Sequence, residues 1–196
     1  MMKRLLCLMM AVLFLLPAVS LADGNAAWYY EDGVYRTNTY LNPQKAPLKM
    51  RLATRSGPST NYDELGSYFK KGHELTVISR AFDERNGIWW LQVEFTYGSS
   101  LRRAYTGLKR VDIDINTVQE DAALYFATVS AETIPYYGPG THYAPHKNPV
   151  EYGTEGMIYA FENGWVQFEF YEEHNKRYRR VWMPAGCLRW TTHVTY

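Results

Sequence analysis

Cysteine is almost missing from this chain: Cys7 and Cys187 are the two among 196 residues. If the first residues are removed on export, one thiol remains, an internal disulfide is excluded, and the fold must hold by side-chain contacts alone. An excess of one charge is missing too. The chain carries 21 basic and 20 acidic side chains, so no basic field exists to gather nucleic acid or anionic lipid. Helical periodicity over the length that a stable helix needs is also absent, which argues against a helical core.

Histidine is scarce, and its spacing excludes a metal site. His142 and His146 would share one face of a helix, but Pro145 and Asn148-Pro149 argue against a helix there, and no carboxylate completes the pattern. His73, His174 and His193 fall at turns or at the end of the chain. No metal and no cofactor are expected.

Only the start of the chain has a long apolar run. Lys3-Arg4 precedes Leu5 to Val19, and Ser20-Leu21-Ala22 supplies small residues where a signal peptidase reads. This pattern predicts a secretory signal, residues 1–22, cleaved after Ala22. The rival, a retained membrane anchor, fits less well because the run is short for a bilayer and Pro17 interrupts it. Removing Lys3 and Arg4 from the 21 basic residues leaves 19 facing 20 acidic ones. The expected product is secreted, periplasmic or envelope-associated, with no membrane span.

Aromatic residues are abundant: 17 Tyr, 8 Phe and 6 Trp. They fall in a pattern that occurs twice. Gly57-Pro58-Ser59-Thr60-Asn61-Tyr62 returns 81 positions later as Gly138-Pro139-Gly140-Thr141-His142-Tyr143, and Trp90-Leu91-Gln92-Val93-Glu94-Phe95 returns 75 positions later as Trp165-Val166-Gln167-Phe168-Glu169-Phe170. Two copies of one small module point to binding rather than chemistry.

The repeats divide the chain. Residues 23–47 form an N-terminal extension, with one short strand expected around Val34 to Tyr40, and repeat one occupies residues 48–112. A linker follows at 113–121, then repeat two at 122–190 and a tail at 191–196. Within the repeats, short runs rich in Val, Ile, Tyr, Phe and Trp lie between turn signals such as Asn86-Gly87 and Gly98-Ser99, which predicts an all-β fold. Leu75 to Ser79, Trp89 to Tyr97 and Leu101 to Leu108 are the predicted strands of repeat one.

The duplication also fixes a hairpin register. Glu94 opposite Arg103 sets Gln92 opposite Tyr105. In repeat two the equivalent pairs are Glu169 with Arg180 and Gln167 with Trp182. Repeat two has two more residues between its Glu and its Arg, one per strand, so the faces are preserved. Leu91, Val93, Phe95 and Ala104, with Val166, Phe168, Phe170 and Val181, are the expected core. The opposite face carries an ion pair, read as exposed and therefore worth only about 0.2–1 kcal/mol, beside two aromatic rings.

Repeat one carries Arg55-Ser56-Gly57-Pro58, then Gly72 before Leu75-Thr76-Val77-Ile78, Gly87-Ile88-Trp89-Trp90-Leu91-Gln92-Val93, and Ala104-Tyr105-Thr106. In this order and spacing it resembles the bacterial Src homology 3 (SH3-like) domain. Tyr105 stands where the family's second tryptophan is usual. Repeat two is more diverged: Tyr136-Tyr137 replaces the arginine-serine pair, while Val181-Trp182-Met183 keeps the late aromatic. The resemblance implies two small SH3-like β-barrels in tandem, exported and non-enzymatic, that recognise peptidoglycan or its peptides. Such modules often target a wall hydrolase, and no hydrolase domain is present in the sequence.

The candidate ligand-binding residues are Arg55, Tyr62, Asp83, Trp90, Tyr105, Tyr143 and Trp182. Tyr62 with Tyr105, and Tyr143 with Trp182, would line an aromatic groove in each repeat; the competing reading has the same rings packing the repeats together. Arg55 suits a carboxylate of a wall peptide, and Asp83 with Glu84 suits an amino group. The run Lys176-Arg177-Tyr178-Arg179-Arg180 is balanced by Glu172 and Glu173 on the opposing arm of its hairpin. Two other functions stay open. One is an adaptor whose repeats pair face to face and bind a partner protein. The other is a hydrolase using Cys187, which lacks an accompanying catalytic motif.

Overall fold

The alternating residues that predicted strands form them. In the computed structural model, which describes residues 28–31, 34–66 and 69–193, the chain is all-β, with short 3-10 turns between strands. The expected signal segment, residues 1–22, lies outside the described residues. In chain order the strands are β1 Trp28–Glu31, β2 Val34–Thr37, β3 Gln44–Pro47, β4 Thr54–Arg55, β5 Glu64–Gly66, β6 Glu74–Asp83 and β7 Ile88–Tyr97. They continue as β8 Ser100–Gly107, β9 Tyr125–Val129, β10 Glu155–Glu162, β11 Trp165–Glu172, β12 Arg177–Pro184 and β13 Leu188–His193.

These strands make two large antiparallel sheets and one hairpin. Repeat one supplies most of a six-stranded sheet in the order β3-β6-β7-β8-β4-β5, repeat two a five-stranded sheet in the order β12-β11-β10-β9-β13, and β1 pairs with β2. The hairpin registers are those the duplication dictated: Gln92 opposite Tyr105 and Glu94 opposite Arg103, then Gln167 opposite Trp182 and Glu169 opposite Arg180; the two extra residues of repeat two lie in its turn and not one on each strand, because three pairs follow the Glu–Arg pair in both hairpins.

Each sheet has its own apolar core. Leu91, Val93, Phe95 and Ala104 are buried with Leu52, Leu75 and Val77 in repeat one. Val166, Phe168, Phe170 and Val181 are buried with Ile158 and Met183 in repeat two. A bulge interrupts the pairing at matching places, leaving Ile78 of β6 and Tyr159 of β10 as the extra residues. Bulges bend a strand and re-aim a side chain. Here Ile78 joins Tyr40, Ala160 and Trp182 in a small cluster drawn from both repeats.

Residues 38–47 are more than an appendage. Strand β3 pairs with β6 at the edge of the first sheet. Just before it, Thr39 N donates to the Phe161 carbonyl at 2.8 Å and Thr39 Oγ1 accepts from Phe161 N at 2.8 Å, which fastens the segment to the second sheet. The segment at 113–121 is anchored as well. Arg80 N donates to the Gln119 carbonyl at 2.8 Å, Asp121 N donates to the Arg80 carbonyl at 2.7 Å, and Val118 is buried in the first core. Among the described residues no helix is long and apolar enough to cross a membrane.

Candidate functional site

The duplicated loops are built around their glycines. A Cβ on Gly57 would lie 2.2 Å from Cδ1 of Tyr62, and one on Gly138 would lie 2.1 Å from Cδ1 of Tyr143. Each tyrosine ring therefore lies flat on its own glycine, where no other residue leaves room. Within the first loop Ser59 Oγ accepts from Asn61 N at 3.0 Å, and Arg55 Nη1 donates to the Tyr62 carbonyl at 2.8 Å. Both tyrosines are thus held outward, and each lands on the other repeat.

The two landings mirror each other. Tyr143 donates its hydroxyl to Glu94 Oε2 at 2.5 Å, and Tyr62 donates to Glu169 Oε2. Each carboxylate also holds its cross-strand arginine, Arg103 Nε at 2.8 Å on Glu94 and Arg180 Nε at 2.7 Å on Glu169. The arginines cap aromatic rings of the opposite repeat, Arg103 over Trp182 at 5.4 Å and Arg180 over Tyr105 at 5.3 Å. Backbone bridges follow the same symmetry, Tyr62 with Tyr178 and Leu101 with Tyr143.

Acids from outside the motifs complete the charge balance. Glu162 takes Arg103 in two hydrogen bonds of 2.6 and 3.0 Å. Asp121, in the segment read as a linker, accepts from Tyr40 at 2.7 Å, Tyr105 at 2.8 Å and Arg180 at 2.9 Å. Burial is the largest influence and works against a charge on Arg103 and Arg180, but the surrounding acids and phenols, led by Glu162 and Glu169 respectively, together outweigh it and hold both guanidiniums charged above their usual range. Burial first, then neighbouring carboxylates, raises Tyr62, Tyr143, Tyr105 and Tyr40, partly opposed by arginine, so these phenols stay protonated donors.

The face read as exposed is therefore an interface between repeats, and its ion pairs are buried. Tyr62, Tyr105, Tyr143 and Trp182 are 7%, 1%, 5% and 2% exposed. A space of only about 10 Å³ remains between the repeats beside Tyr105 and Trp182, room for one water at most. The four rings pack the repeats together instead of lining one groove in each, although Tyr62 also edges a cleft of about 330 Å³ with Asp83, Phe82 and Tyr178. Asp83 is buried at the end of β6, where it accepts from Asn86 Nδ2 at 2.7 Å and closes the turn before β7. The basic run splits in the same way. Arg179 pairs locally with Glu172 at 2.8 Å, whereas Arg177 reaches Asp63 of repeat one at 2.8 Å and Arg180 enters the interface.

Two sequence candidates, Arg55 and Trp90, come together elsewhere. They line an apolar groove of about 670 Å³ on repeat one with Met50, Ile88, Trp89 and Leu108. Its walls are the arm of the Gly-Pro loop, the entry to β7, and the 3-10 turn Leu108–Arg110 that follows β8. Trp90 is 8% exposed, and its indole N–H has no hydrogen-bond partner among the described residues. Met50 and Ile88, both in the lining of the groove, are 45% and 43% exposed. Glu64 stands beside Arg55, with Lys109 and Arg110 on the turn.

The sequence reading missed Met50, Ile88 and Leu108. Their only signal was an apolar residue at the edge of each of three separate segments.

The equivalent position of repeat two is filled differently. Tyr136 stands where repeat one has Arg55, and its ring packs edge-on against Trp165 with centroids 5.3 Å apart. Cys187 lies half-buried in a 3-10 turn against the repeat-two core. His146 stacks on Tyr137 at 3.8 Å, and His142 leans on Tyr143 at 4.4 Å. No protein-family model, no curated protein and no solved structure matches this chain.

Proposed function

We propose that this chain is an exported, non-catalytic binding protein of the cell envelope, built from two SH3-like barrels, with peptidoglycan as its ligand through the wall peptides. The observation that carries this reading is the apolar groove on repeat one. It is bounded by the Gly-Pro loop and the tryptophan strand entry, two segments on which the family resemblance rests, and by the turn after β8.

Its chemistry suits an extended peptide. Trp90, Ile88 and Leu108 offer apolar surface to a chain lying across them, and an aromatic floor buries area with little entropy lost. Arg55, Lys109 and Arg110 meet carboxylates, and Glu64 meets an amino group. Wall peptides carry both. The near balance of 21 basic and 20 acidic side chains gives no support to nucleic acid as a partner. The reading needs no cofactor or metal.

A second reading is an adaptor that takes an extended segment of a partner protein in the same groove. The face-to-face docking of the repeats favours it, because that docking turns two modules into one binding body. The position of Cys187, half-buried against a core, gives the hydrolase reading no support.

The test is co-sedimentation of residues 23–196 with insoluble peptidoglycan. The protein should pellet, and the double substitution Met50→Glu/Ile88→Glu should abolish pelleting without changing the melting temperature, since both side chains are half-exposed. A wild-type protein that stays in the supernatant rejects the wall ligand and moves the adaptor to first place. Pelleting that survives the double substitution rejects the groove.

A further inference from the structure

The groove does not end at Arg55. Arg55, Thr60 and Glu64 are also one wall of a polar cleft of about 710 Å³, and the opposite wall is the β11–β12 hairpin of repeat two. Four of the charged residues in this cleft are basic, Arg55, Arg85, Lys176 and Arg177, and one, Glu64, is acidic.

Some of that charge is already engaged. Arg177 holds Asp63, and Arg55 Nη2 lies 3.8 Å from Glu64 while its Nη1 is taken by the loop carbonyls. Arg85 and Lys176 are exposed and make no ion pair among the described residues. Lys176 holds the left-handed turn position with φ 51° and donates its backbone N–H to the Glu173 carbonyl at 3.4 Å, which sets where its side chain leaves the turn.

This wall exists because the turns of the two hairpins differ: each hairpin has eight cross-strand pairs, but repeat one turns on Gly98-Ser99 and repeat two on the longer Glu173-His174-Asn175-Lys176. The longer hairpin of repeat two lies along the Gly-Pro loop of repeat one, bridged at Tyr62 and Tyr178, and presents Lys176 and Arg177 at its tip. The mirrored contact, Leu101 with Tyr143, is made by the shorter hairpin, whose tip is Gly98-Ser99 and carries no charge.

We propose that this cleft is the anion-recognising half of the binding surface: a wall peptide seated in the repeat-one groove places a free carboxylate between Arg85 and Lys176. The proposal rests on the peptidoglycan reading above and adds a role for repeat two, which supplies charge specificity to a groove on repeat one. Two cations without partners facing one cleft match a carboxylate, and the wall peptide bears carboxylates that can be capped chemically.

The experiment compares pelleting on untreated peptidoglycan with pelleting on peptidoglycan whose carboxyl groups have been amidated. Amidation should weaken wild-type binding by about tenfold or more. Arg85→Glu/Lys176→Glu should weaken binding to the untreated wall by a similar factor, and amidation should then cost that variant little more. Lys70→Glu/Lys71→Glu, which makes the same charge change outside groove and cleft, should bind like wild type.

If the Arg85/Lys176 variant binds the untreated wall like wild type, or if amidation leaves wild-type binding unchanged, the cleft is not the carboxylate site, although the groove reading stands. Equal loss in the Lys70/Lys71 control reduces the effect to general charge and also overturns the proposal. A wild-type protein that never pellets overturns the cleft and the wall reading together.

Discussion

Tyr143 gives its hydroxyl hydrogen to Glu94 across the boundary between repeats, at 2.5 Å, and Tyr62 makes the mirrored bond to Glu169. Each loop tyrosine thus completes the other repeat's ion pair. Hydrogen bonds to a buried charge contribute about 1.5–3 kcal/mol each. Tyr143→Phe and Tyr62→Phe are each expected to lower unfolding free energy by about that amount in urea denaturation. Neither should change binding through the groove.

Arg180 lies among Glu169, Asp121 and Tyr105, so its removal strands two carboxylates inside the protein. Breaking a buried pair in this way costs about 3–5 kcal/mol, well above the range for an exposed pair. Arg180→Met should show that loss in denaturation. Adding Asp121→Asn, which removes one stranded charge, should restore part of it.

Gly57→Ala puts a methyl group into the Tyr62 ring, which must then leave its seat. The expected loss is about 1–3 kcal/mol, the usual range for overpacking. A double-mutant cycle checks the cause. In a Tyr62→Ala background the same Gly57→Ala change should cost almost nothing, because the ring it strikes is gone.

His146 sets a pH dependence. Burial, with Arg179 and then Arg102 nearby, pushes it from 6.5 to about 3, and its buried Nε2 has no hydrogen-bond partner among the described residues. Below about 6.5 the unfolded chain takes up a proton that the folded protein refuses, so stability present at neutral pH is lost as the pH falls towards 3. The slope is at most about 1.4 kcal/mol per pH unit. Denaturation midpoints measured between pH 7 and pH 4 should fall in the wild type, and His146→Phe, which keeps the stack on Tyr137, should flatten that dependence.

Much of the fold could be read from residues alone, and the reason is local. Alternation in β7 and β11 assigns a core face to Leu91 or Val166, and two copies whose hairpins differ by two residues leave a single register in which Glu meets Arg, although those residues prove to lie in the turn and not one on each strand. What covers the opposite face is not local. Glu94 and Arg103 look the same in sequence whether water or Tyr143 lies above them, so an exposed pair was expected and a buried one found.

Asp121 is hidden for a related reason. It follows a short acidic segment and reads as a linker, and only its three partners, Tyr40, Tyr105 and Arg180, reveal its place. The groove escaped because aromatic density drew attention to the rings that close the interface, while Met50, Ile88 and Leu108 come from segments with no shared pattern.

The duplicated tyrosines hold the repeats together, while the proposed binding surface is the repeat-one groove. One side-by-side pelleting assay on insoluble peptidoglycan tests this division of labour, with Tyr62→Phe and Met50→Glu/Ile88→Glu compared under identical conditions and their melting temperatures recorded. Tyr62→Phe is expected to melt earlier but to pellet like wild type, and the groove variant to melt like wild type but to stay in solution. The reverse outcome, pelleting lost in folded Tyr62→Phe and kept in the groove variant, would contradict that division.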